Sequence, residues 1–209
     1  MICQKAFVGA RGIDSLPFSQ SGTGTQANLL KKAGIDFFVG YLGAVTPIRV
    51  QAVLAAGLAF MPVTFANVFD GGKAAAQCMN LGLPTGCTVW LDIEGQDVYH
   101  HPAELIASIN GWADAVARSG YQPGLYVGSP QPLTSEELYS LKVVRYWDAL
   151  SEEYDRNGHL ARPKCGFCMK QLNPSRDWAG VWSDIDIVEQ DFFGRLPSWV
   201  VSEVEAAAA

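Results

Sequence analysis

The sequence predicts an α/β fold: a (β/α)8 TIM-type barrel, compact and with irregular or missing late helices. Three observations predict it. Strand-like apolar runs alternate with helical patterns about seven times, with loops of a few residues between them. Eight such runs favour a closed barrel over an open, doubly wound sheet. No G-x-G-x-x-G follows the first run and no G-x-x-x-x-G-K occurs, so nucleotide-binding α/β folds lose ground. Such barrels usually need about 250 residues, so in a chain of 209 the late helices are expected to be cut short.

Residues 6–14 read as the first strand, ending in Asp14. Residues 15–24, rich in Ser, Pro, Gly and Thr, read as a loop. Residues 25–33 follow as a helix stopped by Gly34, then 36–42 as a second strand. Thr46-Pro47 fits an N-cap followed by proline in the first turn, and that helix ends at Gly57. Residues 58–65 are a third strand, although Pro62 inside it cannot donate to a ladder. A helix over 71–81 leads to the fourth strand, 88–94. The long helix 102–118 keeps Ile106, Ile109, Trp112, Ala113 and Val116 at helical spacing. Leu125-Tyr126-Val127 is a fifth strand. Thr134 with Glu137 forms a capping box for the next helix. Residues 143–147, 167–172 and 184–188 are the remaining strands, 151–164 a polar loop, and 196–208 a closing helix.

The chain reads as one domain over 1–209, with 49% hydrophobic residues and a net charge of −6. Its 15 basic residues form no run, which argues against a nucleic-acid partner. No run approaches the ~20 apolar residues of a membrane span. Residues 1–8 lack the parts of a signal peptide, so synthesis in the cytoplasm is expected, with any export by another route. A monomer without cofactor is expected. The five cysteines are an odd number and do not suggest a secreted disulfide framework. Cys165 and Cys168 have C-x-x-C spacing, but a zinc site would need two more ligands, such as Cys78 and Cys87; buried thiols are the simpler expectation.

The strand ends carry the chemistry. In 88–94, alternation points Asp92 and Glu94 one way and Val89, Leu91 and Ile93 the other. Two acids this close do not both ionise without cost, so one keeps its proton more readily while the other stays a carboxylate. Such a pair suits glycosidic bond cleavage. Reading the last polar residue of each strand adds Asp14, Tyr41, Thr64 or Asn67, Tyr126, Trp147 with Asp148, Gln171, and Asp184 with Asp186. In a barrel these ring one mouth, where acids and amides bond hydroxyls and flat rings stack on sugars.

Gly12-Ile13-Asp14, Leu91-Asp92-Ile93-Glu94, Gly124 to Ser129, Tyr146-Trp147-Asp148-Ala149, Gln171 and Ile185-Asp186-Ile187 resemble, in order and spacing, the strand motifs of the family 25 glycoside hydrolases, lysozymes of the Chalaropsis type. They are similar above all to the glycoside-hydrolase-like relatives, domain-of-unknown-function family 1906, which include phage lysins and bacterial proteins. Ser15-Leu16-Pro17-Phe18, Lys170 and Val188 depart from the lysozyme pattern. The resemblance implies a muramidase of endolysin type, cleaving the β-1,4 bond between N-acetylmuramic acid and N-acetylglucosamine of peptidoglycan at the cell wall. It implies Glu94 as general acid, kept protonated by Asp92 and by burial. Asp92 or Asp186 would orient the 2-acetamido group, or Asp186 would activate water, and Asp14 would hold a sugar hydroxyl or Asp186. Tyr41, Asn67, Tyr126, Trp147, Gln171 and Asp184 would bind or border the sugar. Three rivals stand beside it: a glycan-binding barrel without turnover, a structural barrel of a phage or secretion assembly, and a metal-dependent hydrolase using Asp14, Asp92, Glu94 and Asp186, joined by His100 or His101.

Overall fold

The computed structural model describes residues 1–66, 69–94, 101–128, 131–149 and 154–203, the side chains of 173 and 174 excepted. The strands are β1 Ile2–Lys5, β2 Arg11–Asp14, β3 Phe37–Tyr41, β4 Ala59–Phe65, β5 Thr88–Asp92, β6 Gln122–Val127, β7 Arg145–Asp148, β8 Met169–Trp178, β9 Val181–Val188 and β10 Ser198–Val201. The helices are α1 Leu16–Ser21, α2 Gly24–Lys32, α3 Pro47–Ala55, α4 Gly71–Asn80, α5 Pro102–Arg118 and α6 Ser135–Ser140. Strands β2 to β9 pair in chain order, and β9 returns to β2, so eight strands close into a barrel. β2 to β8 run parallel, each pair up to β7 joined by helix-bearing connections.

The alternation in β5 sets the two layers. Trp90 lies in the cluster that fills the barrel, with Phe37, Val39, Met61, Trp147 and Trp199. Val89, Leu91 and Ile93 lie in the outer cluster under the helices, with Ile109, Trp112 and Val116 of α5. The filling is fitted by glycines: Phe37 is paired with Gly12, and Trp90 with Gly124. A Cβ on Gly12 would come within 2.2 Å of the Phe37 ring, and one on Gly124 within 2.4 Å of the Trp90 ring. The glycine of the Gly12-Ile13-Asp14 motif therefore has a packing reason.

The N-caps at Thr46 and Thr134 form as the sequence indicates, the second as a full capping box with Glu137. Pro62 is accommodated inside β4. The Ala59 N–H donates to Asp36 O and the Leu42 N–H to Val63 O, which turns the odd positions of β4 towards β3. Pro62 thus faces the other side, where β4 leaves β10 at Phe60 and meets β5 from Val63, and its missing N–H falls in that junction.

Four expectations are corrected. Residues 15–24 are not all loop: Ser15 accepts from the Phe18 N–H at 3.2 Å and Pro17 sits in the first turn of α1. The same residue types that break a helix also start one. The first barrel strand is only Arg11–Asp14; a separate β1 precedes it, and the chain turns at Gly9, where φ is +85°. The stretch expected as a helix from 196 begins instead with a strand, because Trp199-Val200-Val201 pairs antiparallel with β1 and seals the barrel floor; its part beyond 203 lies outside the described residues. Finally, β9 is antiparallel to both β8 and β2. A parallel return needs a crossover of about a dozen residues, and here only Ala179 and Gly180, both at positive φ (54° and 82°), separate the two strands. The hairpin end packs against the outer cluster through Trp178 and takes the place of a late helix. Gln26 Nε2 donates to Gly180 O at 3.4 Å and Ser15 Oγ to Trp182 O at 2.9 Å, holding it there.

All five cysteines are free. Cys165 belongs to the outer cluster and Cys168 to the inner one, so the C-x-x-C thiols point to opposite sides of the sheet. Among the described residues no group of three or more His, Cys, Asp or Glu is arranged to hold a metal ion, and no helix is long and apolar enough to cross a membrane.

Candidate active site

The parallel strands deliver Asp14, Tyr41, Asp92 and Tyr126 to one end of the barrel, at or next to the strand ends. The antiparallel β9 reaches the same end in the opposite sense, pairing Asp184 with Asp14 and Asp186 with Gln171 and Gly12. Gln171 is the hub. Its Nε2 donates to Asp14 Oδ2 at 2.8 Å and to Asp184 Oδ2 at 3.4 Å. Its Oε1 lies 2.7 Å from the Tyr126 hydroxyl, which in turn lies 3.2 Å from Glu94 Oε1. Tyr41 donates to Asp14 Oδ1 at 3.4 Å, and Ser175 to Asp184 Oδ1. Residues as far as 157 positions apart thus form one connected polar network.

The two acids of β5 part company. Asp92 is buried and accepts the Glu94 backbone N–H at 2.9 Å, which folds the strand end over it. Burial pushes its carboxyl up to about 7, with the Glu94 charge adding to the rise and that backbone bond opposing it. Glu94 is exposed at the opening. Burial was expected at Glu94, and it falls on Asp92 instead. Asp14 is also pushed up to about 7, first by burial and then by Asp184 and Asp92, against the bonds from Gln171 and Tyr41. Asp186 is fully buried; its carboxyl oxygens make no hydrogen bond of good geometry, and the nearby Trp147 N–H only partly opposes the rise in its proton affinity. Burial first, then Asp14 and Asp184, hold its proton well above the ordinary range. The same burial and carboxylates raise Tyr41 and Tyr126, which stay neutral phenols.

The aromatic residues divide in the same way. Tyr41 is half-buried and stacks on the exposed ring of Phe65, centroids 4.5 Å apart at 26°. Tyr126 and Trp147 are buried; their rings lie 4.5 Å apart, and Trp147 meets Trp90 at 5.7 Å. Trp147 therefore forms the floor of the mouth, beneath Tyr126. Asn67 and His100 lie outside the described residues, and His101 stands at the N-cap of α5.

Two site residues were not singled out from the sequence. Phe65 ends β4 with its ring in the opening, legible only as the last aromatic of an apolar run. Gly128 follows β6, and a Cβ there would fall 2.2 Å from Glu94 Cγ, so the glutamate side chain rests on the bare backbone.

The mouth so described sets carboxyl groups of differing proton affinity beside a stacked aromatic rim. Residues 28–190, more than three quarters of the chain, match the Rv2525c-like, glycoside hydrolase-like domain, and the chain belongs to that family. Among solved structures it is similar to a glycosyl hydrolase 25 of Streptococcus pneumoniae described as a virulence factor participating in host cell invasion. The identity is 14%, 86% of this chain and 87% of that one are covered, and the TM-score is 0.58. A sugar phosphate isomerase/epimerase from Parabacteroides distasonis shares the fold at 12% identity, 69% and 66% coverage and a TM-score of 0.50. No curated protein matches the sequence.

Proposed function

We propose that this protein is a glycoside hydrolase of muramidase type acting on peptidoglycan at the cell wall. The observation that carries this reading is the split between Glu94, exposed at the opening, and Asp92, buried directly beneath it and bonded to its backbone. Glu94 gives its proton to the glycosidic oxygen as the C–O bond breaks. Asp92 bonds the 2-acetamido N–H, and the acetamido carbonyl oxygen closes on the anomeric carbon. Water then opens that ring, with the Glu94 carboxylate taking its proton. Asp186 is enclosed and holds its proton, so it supports Asp14 and Trp147 from below and does not activate water. The Tyr41–Phe65 pair borders a sugar face.

The test is reducing-sugar release from purified peptidoglycan, wild type beside Glu94→Gln. Wild type should turn over and the variant should lose ~10²–10⁴ in rate, while its affinity for glycan fragments stays within about tenfold. Wild type that binds peptidoglycan and never releases sugar would replace the enzyme by a glycan-binding barrel. The enclosure of Asp186 favours that second reading over the others, since it takes the candidate water-activating acid away from the opening.

A further inference from the structure

Glu94 is exposed, so a role as proton donor would need something other than burial to favour its acid form. The Tyr126 hydroxyl lies between two oxygens, Gln171 Oε1 at 2.7 Å and Glu94 Oε1 at 3.2 Å. A phenol has one hydrogen to give. Gln171 is oriented from its far side, where its amide nitrogen donates to Asp14 and Asp184. With the nitrogen committed to those two groups, the oxygen is the end left to face β6. Gln171 Oε1 therefore faces Tyr126 as a pure acceptor and takes the single phenol hydrogen over the shorter contact. Tyr126 then offers Glu94 only a lone pair, and the hydrogen between them has to come from Glu94.

We propose that Gln171 is a positioning residue that, through Tyr126, presents Glu94 with an acceptor in place of a donor and so selects its protonated form. This deepens the reading of Glu94 as the proton donor and rests on it for its use, but not for its test. Among the described residues, the groups that face Glu94 include Asp92 at the end of β5, Tyr126 on β6 and Tyr41 on β3. Gly128 beneath it carries no charge and gives the side chain the room to reach Tyr126.

The two donor arrangements predict opposite signs. A phenol that accepts from Glu94 stabilises the acid, and removing its hydroxyl lowers the titration midpoint. A phenol that donates stabilises the carboxylate, and removing it raises the midpoint. The experiment is carbon-13 NMR titration of the Glu94 carboxyl in the full chain, the resonance assigned with Glu94→Gln. Tyr126→Phe should lower the midpoint by about one pH unit. Gln171→Leu should also lower it, because the freed phenol hydrogen turns to the carboxylate. Tyr41→Phe, whose hydroxyl sits on Asp14, should move it by much less. A rise or an unchanged midpoint in Tyr126→Phe overturns the proposal, and that variant decides alone if Gln171→Leu does not fold. No substrate is needed. Lowered midpoints in a protein without turnover would uphold the relay and sink the proposed activity.

Discussion

Towards the strand starts the barrel is filled by rings and aliphatic chains; towards the strand ends the same tube is filled by carboxyl groups, phenols and one amide. In the lower half two of the large rings meet a glycine on the neighbouring strand, Phe37 at Gly12 and Trp90 at Gly124. Interlocking of that kind lowers the energy of the folded state, although the Trp90 and Trp199 indole N–H groups are buried without a partner. In the upper half, Asp14, Asp92 and Asp186 are buried together, and the charges that raise them are other carboxylates. Burial there is a cost, and the lower half carries it.

The largest expected effect tests the lower half. Trp90→Ala removes a fully buried ring that contacts Trp147 and fills the space over Gly124. Denaturant unfolding should show a loss of about 3–5 kcal/mol. A loss under about 1 kcal/mol would mean that the floor is not what holds the barrel.

The next effect tests the upper half through pH. Asp14 and Asp92 titrate at about 7 in the folded chain and near 3.8 when unfolded. Between those values the folded chain holds protons that the unfolded chain has released. Stability is therefore full below about pH 4 for these groups and falls as pH rises through about 7. The melting temperature should be higher at pH 5 than at pH 8, and Asp92→Asn should recover about 1–3 kcal/mol at pH 8. A profile that climbs towards pH 8, or a variant that is weaker there, breaks the contrast between the halves.

The smallest effect on stability sharpens the boundary between the mouth and solvent. Gly128→Ala places a methyl 2.2 Å from Glu94 Cγ, and the exposed glutamate should swing away at little cost. Unfolding free energy should change by no more than about 1 kcal/mol, while sugar release falls about tenfold, since a misplaced acid loses much of its contribution. An unchanged rate would show that Glu94 does not need this seat.

Much of the site was legible because strand alternation is a local property. Once 88–92 is a strand, Asp92 shares a face with Trp90 whatever surrounds it, while Glu94, expected in the same strand, lies in the turn past its end. Gln171 and Asp186 stood out for the same reason. The proton distribution was not legible. Which acid of the β5 pair is buried depends on the turn that bonds the Glu94 N–H to Asp92. The role of Gln171 depends on Asp14, 157 residues away, and Tyr126, 45 residues away, meeting it from two sides.

The sequence by itself determined the order of the eight barrel strands and of helices α2 to α6, the caps at Thr46 and Thr134, and the arrival of acids and aromatics at the strand ends. These follow from periods of two and 3.6 residues and from side chains bonding backbone three positions on. Only the tertiary structure decided that β9 runs antiparallel, that 198–201 is a strand sealing the floor, and that Glu94 faces solvent above a buried Asp92. Those outcomes depend on partners distant in the chain. The Trp199 stretch becomes a strand because β1 waits beside it, and a carboxyl group's hold on its proton is set by which neighbours exclude water from it.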